Sequence, residues 1–274
     1  MRMLSTEAGL ATPVDAILRY RSLTKELTKR EILGRYRGAS FGLLWALISP
    51  FLMLMVYTLA FGYILKSRWP GTSGSTMDFT LILFVGLIIH GFFAECLTRA
   101  PQLILSNANY VKKVVFPLHI LPWSMSLSAI FHLGMNLVVL VLMKVFLHGE
   151  LHATTLLLPV ILLPLFILVL GVGWLVSALG VFLRDIGQVV GVLATALLFL
   201  SSAIVPVQAL PDNFRWIFNA NPLTFIIDQA RELVIWGRSP DWSTLVLYTC
   251  CALAFSFLAF LVFQKMRRGF ADVL

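Results

Sequence analysis

The chain has 274 residues, of which 59% are hydrophobic and only 12% charged, with a mean hydropathy of +0.90. Water-soluble domains carry about 25% charged residues, so the composition excludes a soluble globular protein and indicates an integral membrane protein. A net charge of +8 would suggest a nucleic-acid partner in a soluble chain, but in an apolar one it reads first as topology, because Lys and Arg gather on the cytoplasmic side of a bilayer.

Residues 1–41 place eight Lys and Arg ahead of the first long apolar run, a stretch too long and too charged to be a secretory signal. Within it Ala16, Tyr20, Leu23 and Leu27 recur at helical spacing, and Ile32, Leu33 and Tyr36 begin a second apolar patch. Glu26 with Arg30 and Glu31 with Arg35 are favourable i,i+4 pairs. The pattern predicts a basic amphipathic helix along the cytoplasmic interface, its cations near anionic headgroups.

A helix needs roughly 20 residues to cross a hydrocarbon core of about 30 Å. Six apolar runs qualify, at about 42–65, 79–97, 118–146, 155–183, 189–205 and 245–263. Pro159 and Pro164 sit early in the fourth, where a kink is tolerated if neighbouring helices satisfy the freed carbonyls. Six spans put both termini on one side. That side carries eight Lys and Arg before the first span, three between the second and third, one between the fourth and fifth and three at the end, fifteen against six opposite. Both termini are therefore expected in the cytoplasm, and the basic excess needs no nucleic acid. The expected fold is an all-α integral membrane protein with a cytoplasmic N-terminus (1–41), a six-span domain (42–263) and a cytoplasmic tail (264–274).

Two connections hold more than a link requires. The loop 98–117, TRAPQLILSNANYVKKVVFP, mixes apolar side chains with Asn107, Asn109, Lys112 and Lys113. A short helix is expected from about Pro101 to Ser106, with a second before Pro117, presenting side chains to a cytoplasmic partner. The segment 206–242 is broken by Pro211, Pro222 and Pro240 yet contains Phe214, Trp216, Phe218, Phe225 and Trp236. Too apolar for a solvated loop and too broken to span, it reads as short re-entrant or interfacial helices, with an ordinary interfacial loop as the alternative. Between the fourth and fifth spans Arg184 and Asp185 are adjacent and expected to pair, either as a helix-end device or as a cytoplasmic gate contact.

Several chemistries lack their residues. No GxxxxGK[ST] phosphate loop occurs, so this chain is not expected to hydrolyse ATP alone. His148 and His152 lie i,i+4 near Glu150, a weak metal set better explained as a turn, and no metal is expected. Charges within the spans are few, with Glu95 and Lys144 near span ends, which argues against a proton- or ion-coupled transporter. Cys96 stands alone and Cys250 and Cys251 are adjacent, so no disulfide framework is expected.

The run LTKREILGRYRGASFGLLWALISPFLMLMVYTLAFGYIL, from Leu27 to Leu65, resembles the opening of the permease subunits of type-2 ABC transporters, in the branch that exports O-antigen, capsule and teichoic acid polymers. The resemblance continues through SNANYVKKVVFPLHILP (Ser106 to Pro122), VFLRDIGQVV (Val181 to Val190), the Asn221-Pro222 pair and the basic end after the sixth span, and so covers nearly the whole chain. A departure occurs at His90, in GLIIHGFF, where relatives often carry Pro-Trp or a similar aromatic.

The resemblance implies a permease homodimer bound to two copies of a separate cytoplasmic ABC ATPase, in the bacterial inner membrane. ATP and magnesium would sit on that partner, with no cofactor on this chain. It assigns ATPase coupling to the N-terminal helix and the 98–117 loop, through Glu31, Arg35, Arg37, Asn107, Tyr110, Lys112, Lys113 and Phe116, and it marks Asn221 and Pro222 in the re-entrant segment, where Asp228 and Arg231 are further candidates. The substrate would be a lipid-linked polysaccharide, O-antigen foremost. Sugars offer C–H faces that pack on aromatic rings, so Trp45, Tyr57, Phe61, Phe84, Phe92 and Phe93 are the channel candidates. Tyr57 leads, since its mid-span hydroxyl would be costly facing lipid. Membrane lipids are the remaining expected partner. The alternatives are a capsule or teichoic acid exporter, a small-molecule or drug efflux permease of the same superfamily, and, from another class, a membrane scaffold or envelope-lipid enzyme.

Overall fold

The computed structural model describes residues 13–64, 69, 76–113 and 116–274. Among these every regular element is a helix. An apolar surrounding favours that outcome, because a helix satisfies its peptide groups within one segment. The chain opens with α1 (Pro13–Arg19) and α2 (Arg21–Arg35), then turns through Gly38 and Gly42, at φ of 85° and 49°, into α3 (Trp45–Tyr57). A π-helical turn, Thr58–Ile64, extends α3. There follow α4 (Thr76–Leu103), α5 (Ala108–Lys113), α6 (Leu121–His148), α7 (Leu158–Phe182), α8 (Ile186–Phe199), α9 (Asp212–Ala220), α10 (Pro222–Arg231), α11 (Trp242–Met266) and α12 (Phe270–Val273).

Among the described residues, five helical stretches are long and apolar enough to cross a membrane: Gly42–Ile64, Met77–Leu103, Leu118–His148, Ala153–Phe182 and Trp242–Val273. The run expected as a fifth span, 189–205, is only partly helical. α8 has 14 residues, about 21 Å of rise, and the chain leaves the helix after Phe199. The segment expected as one N-terminal helix forms two, α1 and α2. The separate helix expected at 101–106 does not form: α4 runs on to Leu103, and a single 3-10 turn, Leu105–Asn107, leads into α5. Pro101 falls in the last turn of α4, where it offers no N–H to the Leu97 carbonyl, and the helix ends two residues later.

α4 and α7 form the centre. Burial covers 78% of the most apolar window of Met77–Leu103 but 11% of that of Gly42–Ile64, so the first crossing lies at the periphery. α7 packs closely because glycine stands wherever a neighbour approaches. A Cβ at Gly171 would lie 2.8 Å from Ser256 Cα of α11, and one at Gly180 would meet the Pro101 carbonyl of α4. Trp174, fully buried in α7, donates its indole N–H to the His119 carbonyl at 3.0 Å. His90 faces α8 and bonds the Ala194 carbonyl at 2.9 Å, joining two helices. α11 begins at Asp241, whose carboxylate accepts from the hydroxyls and backbone N–H groups of Ser243 and Thr244. Those donors, led by Ser243, hold its pKa down at about 2.

The segment 206–242 contains α9, α10 and a π-helical turn, Glu232–Trp236, closed by Gly237 at φ 66°. α10 is buried through Leu223, Ile226, Ile227 and Ala230. Asn221 explains the Asn-Pro pair. Its side-chain oxygen caps α10 by accepting from Leu223 N–H at 2.9 Å, and its NH₂ donates to the Leu197 and Leu200 carbonyls at the end of α8. Pro222 fills the first turn, where no donor is needed. Arg231 is wholly buried and donates to the carbonyls of Ile82 (3.0 Å), Ser202 (2.7 Å) and Ala203 (2.9 Å), with Asp228 at 3.4 Å and the Trp69 ring centre 4.4 Å away.

Replacing this guanidinium with an apolar chain, as in Arg231→Met, leaves those carbonyls unpaired. It is expected to destabilise the fold by about 3 kcal/mol or more, read as a lowered thermal unfolding midpoint in detergent. Gly86→Ala should act on the same contact, since its Cβ would lie 2.7 Å from Ala203 Cα and 2.8 Å from Arg231 Nη2. Unchanged midpoints in both variants would refute the capping role.

Candidate functional site

At the opposite end of α4 the charged groups of α2 turn inward. Glu31 and Arg35, spaced as an i,i+4 pair, do not bond each other. Glu31 accepts from Arg99 of α4 at 2.7 Å and from the Ser124 hydroxyl of α6 at 3.0 Å, while Arg35 donates to Glu95 of α4 at 2.8 Å. Glu95 Oε1 also accepts from Arg99 at 3.0 Å and lies 3.2 Å from His132 Nδ1 of α6. Arg35 Nη1 is 2.8 Å from that same nitrogen. A bare Nδ1 accepts from Arg35, whereas a protonated one donates to Glu95, so the two arrangements exclude each other. Five ionisable side chains from three helices thus share one cluster at the edge of the bundle. Sequence reasoning undervalued Glu95 and missed Arg99 and His132. The spacing of Glu95 and Arg99 on one helix was the available signal.

Arg35, Glu95 and His132 of this cluster line one end of a cleft of about 430 Å³ between α3, α4 and α6. Of the aromatic candidates, Trp45, Tyr57, Phe84 and Phe92 line it. Phe61 does not; it packs against Phe79 with ring centres 6.3 Å apart. Phe93 is likewise outside the cleft, buried in the core on another side of α4. On α4 the lining falls at Phe84, Ile88, Gly91, Phe92 and Glu95, one helical face. A wider groove of about 820 Å³ shares Arg35, Gly91, Glu95 and His132 and extends the cleft towards Glu31 and Arg99. The lining therefore passes from charged side chains at that end to aromatic walls.

The loop residues expected at a coupling surface divide. Tyr110 stacks on Phe116 with ring centres 4.4 Å apart and accepts from Arg30 of α2 at 2.8 Å, binding the loop to the N-terminal helix. Glu26 therefore does not hold Arg30 as its spacing suggested. Asn107 donates to the Leu103 carbonyl and so closes α4. Arg37 is exposed in the turn beyond α2. The side chains of Lys112 and Lys113 lie outside the described residues.

Arg184 and Asp185 are both exposed, and no described ion pair involves either, contrary to the expected pairing. Neighbours in sequence at a helix start point apart, which accounts for it. Asn221, Pro222, Asp228 and Arg231 come together at the α8–α10 junction described above. Among the described residues no group of three or more His, Cys, Asp or Glu is placed to hold a metal. His148 instead bonds Asp78 at 2.6 Å and His152 bonds the Ile235 carbonyl at 3.2 Å.

The family model of the ABC-2 type transporter matches residues 22–235. The O-antigen export system permease protein RfbA of Klebsiella pneumoniae is 26% identical over 251 residues, covering 90% of this chain and 93% of that protein. The RfbA protein of Myxococcus xanthus is 25% identical over 262 residues, 94% of this chain and 98% of its own length. The polysialic acid transport protein KpsM of Escherichia coli is 27% identical over 213 residues, 76% and 79% of the two chains.

The cluster makes a quantitative demand. Glu95→Gln leaves Arg35 and Arg99 without their shared anion and is expected to weaken the attachment of α2 by about 2 kcal/mol. Arg35→Gln should do less, because its side chain is 52% exposed and the pair is screened. Limited proteolysis of α2 in detergent reads the difference. Equal cleavage of the two variants and the wild type would count against the cluster as the anchor.

Proposed function

This chain belongs to the ABC-2 type transporter family, and we propose that it is the membrane-spanning permease of an exporter carrying lipid-linked polysaccharide, O-antigen foremost, across the bacterial inner membrane. The observation that carries the reading is an aromatic cleft with a charged end, in a chain that aligns along 94% of its length with an O-antigen export permease. Sugar rings pack their C–H faces on Trp45, Tyr57, Phe84 and Phe92 without the tight hold that charges would exert. In this reading α8 and the irregular chain after it make a sixth crossing, and both termini face the cytoplasm.

A second copy completes the channel, and two ATPase subunits carry ATP and magnesium. The sparsely buried flank of Gly42–Ile64 supports pairing of copies, because it leaves one wall of the cleft at the edge of the bundle. Closure of the ATPase dimer would press on α2 and the α5 loop; the Glu31–Arg99 and Arg35–Glu95 pairs would pass that movement to α4, and the Glu31–Ser124 bond to α6. Arg37, Lys112 and Lys113 are the proposed outward contacts. Arg184 and Asp185, exposed at the start of α8, are the proposed gate. The likeness to a polysialic acid transport protein supports capsule export as the second reading.

Co-expression with the cognate ATPase should yield a complex that survives purification. A chain that exports alone, or that never binds a Walker-motif subunit, would overturn the assignment. Within an assembled complex, Trp45→Ala and Tyr57→Ala are each expected to lower surface polymer about fivefold, the effect of losing roughly 1 kcal/mol of ring contact. Phe93→Leu should leave export near wild type. Export unchanged in Arg184→Ala and Asp185→Ala would sink the gate.

A further inference from the structure

A third feature of α2 serves neither the cleft nor the loop contact. On its flank against α6 runs a groove of about 530 Å³. Ile17 and Ile32 form its apolar floor with Leu127 of α6, and Arg21, Lys25 and Lys29 stand along it. The floor presents little polarity, since the hydroxyls of Thr24 and Thr28 are taken up by the carbonyls of Tyr20 and Thr24. The three cations are exposed, recur every fourth residue, and so line about 12 Å of one edge. None of them has a described ion pair, and no carboxylate lines the groove. Leu127 stands in the second turn of α6, within a helical stretch long and apolar enough to cross the membrane, so the floor lies beside a candidate span.

We propose that this α2–α6 groove is a binding site for an anionic phospholipid, with an acyl chain on the Ile17, Ile32 and Leu127 floor and its phosphate among Arg21, Lys25 and Lys29. A row of uncompensated cations beside an apolar trough matches a ligand that is anionic at one end and hydrocarbon at the other. A protein partner fits less well. Arg30, which reaches the α5 loop, stands about 180° around α2 from Arg21, about 140° from Lys25 and about 100° from Lys29, so the groove opens away from that loop most fully at its Arg21 end. The site lies outside the polymer cleft, and its test does not depend on which substrate is exported.

The test uses the full-length permease purified with its ATPase in detergent, titrated with phosphatidylglycerol, phosphatidylcholine of the same chains, and glycerol phosphate, and read by native mass spectrometry. Phosphatidylglycerol is expected to be retained on the order of tenfold better than phosphatidylcholine, with glycerol phosphate not competing. Arg21→Gln/Lys25→Gln/Lys29→Gln should erase the preference, and Lys25→Arg should keep it. Leu127→Trp, which fills the trough and leaves every charge in place, should also lose the lipid. Equal retention of the two lipids, competition by glycerol phosphate, or a preference unchanged in the triple and Leu127→Trp variants would overturn the proposal. Loss of the ATPase from the triple variant with lipid preference intact would assign the stripe to the protein partner instead.

Discussion

A carbonyl left open in an apolar surrounding costs several kcal/mol, so every interruption of a helix in such a chain must be matched by a donor from elsewhere. The architecture depends on how this is met at one end of the bundle. There α8 stops, the chain turns, and α10 re-enters the packed core. Arg231 supplies guanidinium N–H groups to Ile82, Ser202 and Ala203, and Asn221 supplies its amide to Leu197 and Leu200. The π-helical turn that follows is closed the same way, by Thr154 on the Leu233 carbonyl and by His152 on that of Ile235. Arg suits the site better than Lys because its planar head reaches several acceptors at once. Gly86 is the complementary condition, since only a residue without a side chain lets Ala203 and the guanidinium sit against α4.

The other end of the bundle uses polar groups differently. Around Glu95 the donors and acceptors are side chains with net charges that nearly cancel, and Arg35 and Arg99 keep 52% and 37% of their side-chain surface in solvent. Exposed pairs of this kind contribute about 1 kcal/mol or less each. What they supply is direction. Glu31 and Arg35 fix which face of α2 meets α4 and α6, and that choice turns Arg21, Lys25 and Lys29 outward along the groove.

The apolar runs were legible because length and hydropathy alone define a crossing. The expected 42–65 and 118–146 stand beside Gly42–Ile64 and Leu118–His148. Partners were less legible. Spacing suggested Glu31 with Arg35 and Arg184 with Asp185, yet spacing tells only which side chains are neighbours on one helix, and burial gave Glu31 and Arg35 better partners on α4. The aromatic set split for a related reason. Phe92 and Phe93 are equal in composition but point to different sides, and only the step from Glu95 through Gly91 and Ile88 to Phe84 marks the face that meets α3 and α6. The end of α8 was hidden because the groups that satisfy the carbonyls there, Asn221 and Arg231, lie 22 and 32 residues beyond Phe199 in the chain.

α4 joins the two ends. Ile82 and Gly86 engage the Arg231 junction, while Glu95 and Arg99 engage α2, about 20 Å further along the same helix. The two attachments differ in strength for a physical reason. The buried junction has no water to replace a lost bond, whereas the α2 cluster is partly solvated and can exchange protein partners for water. His132 adds a choice of partner there, because its Nδ1 can serve Arg35 or Glu95 but not both. A load applied to α2 therefore meets a cluster that can rearrange at modest cost, held by a helix whose far end is fixed. Movement of α2 relative to the bundle is accordingly the cheaper distortion, and displacement of α10 the dearer one.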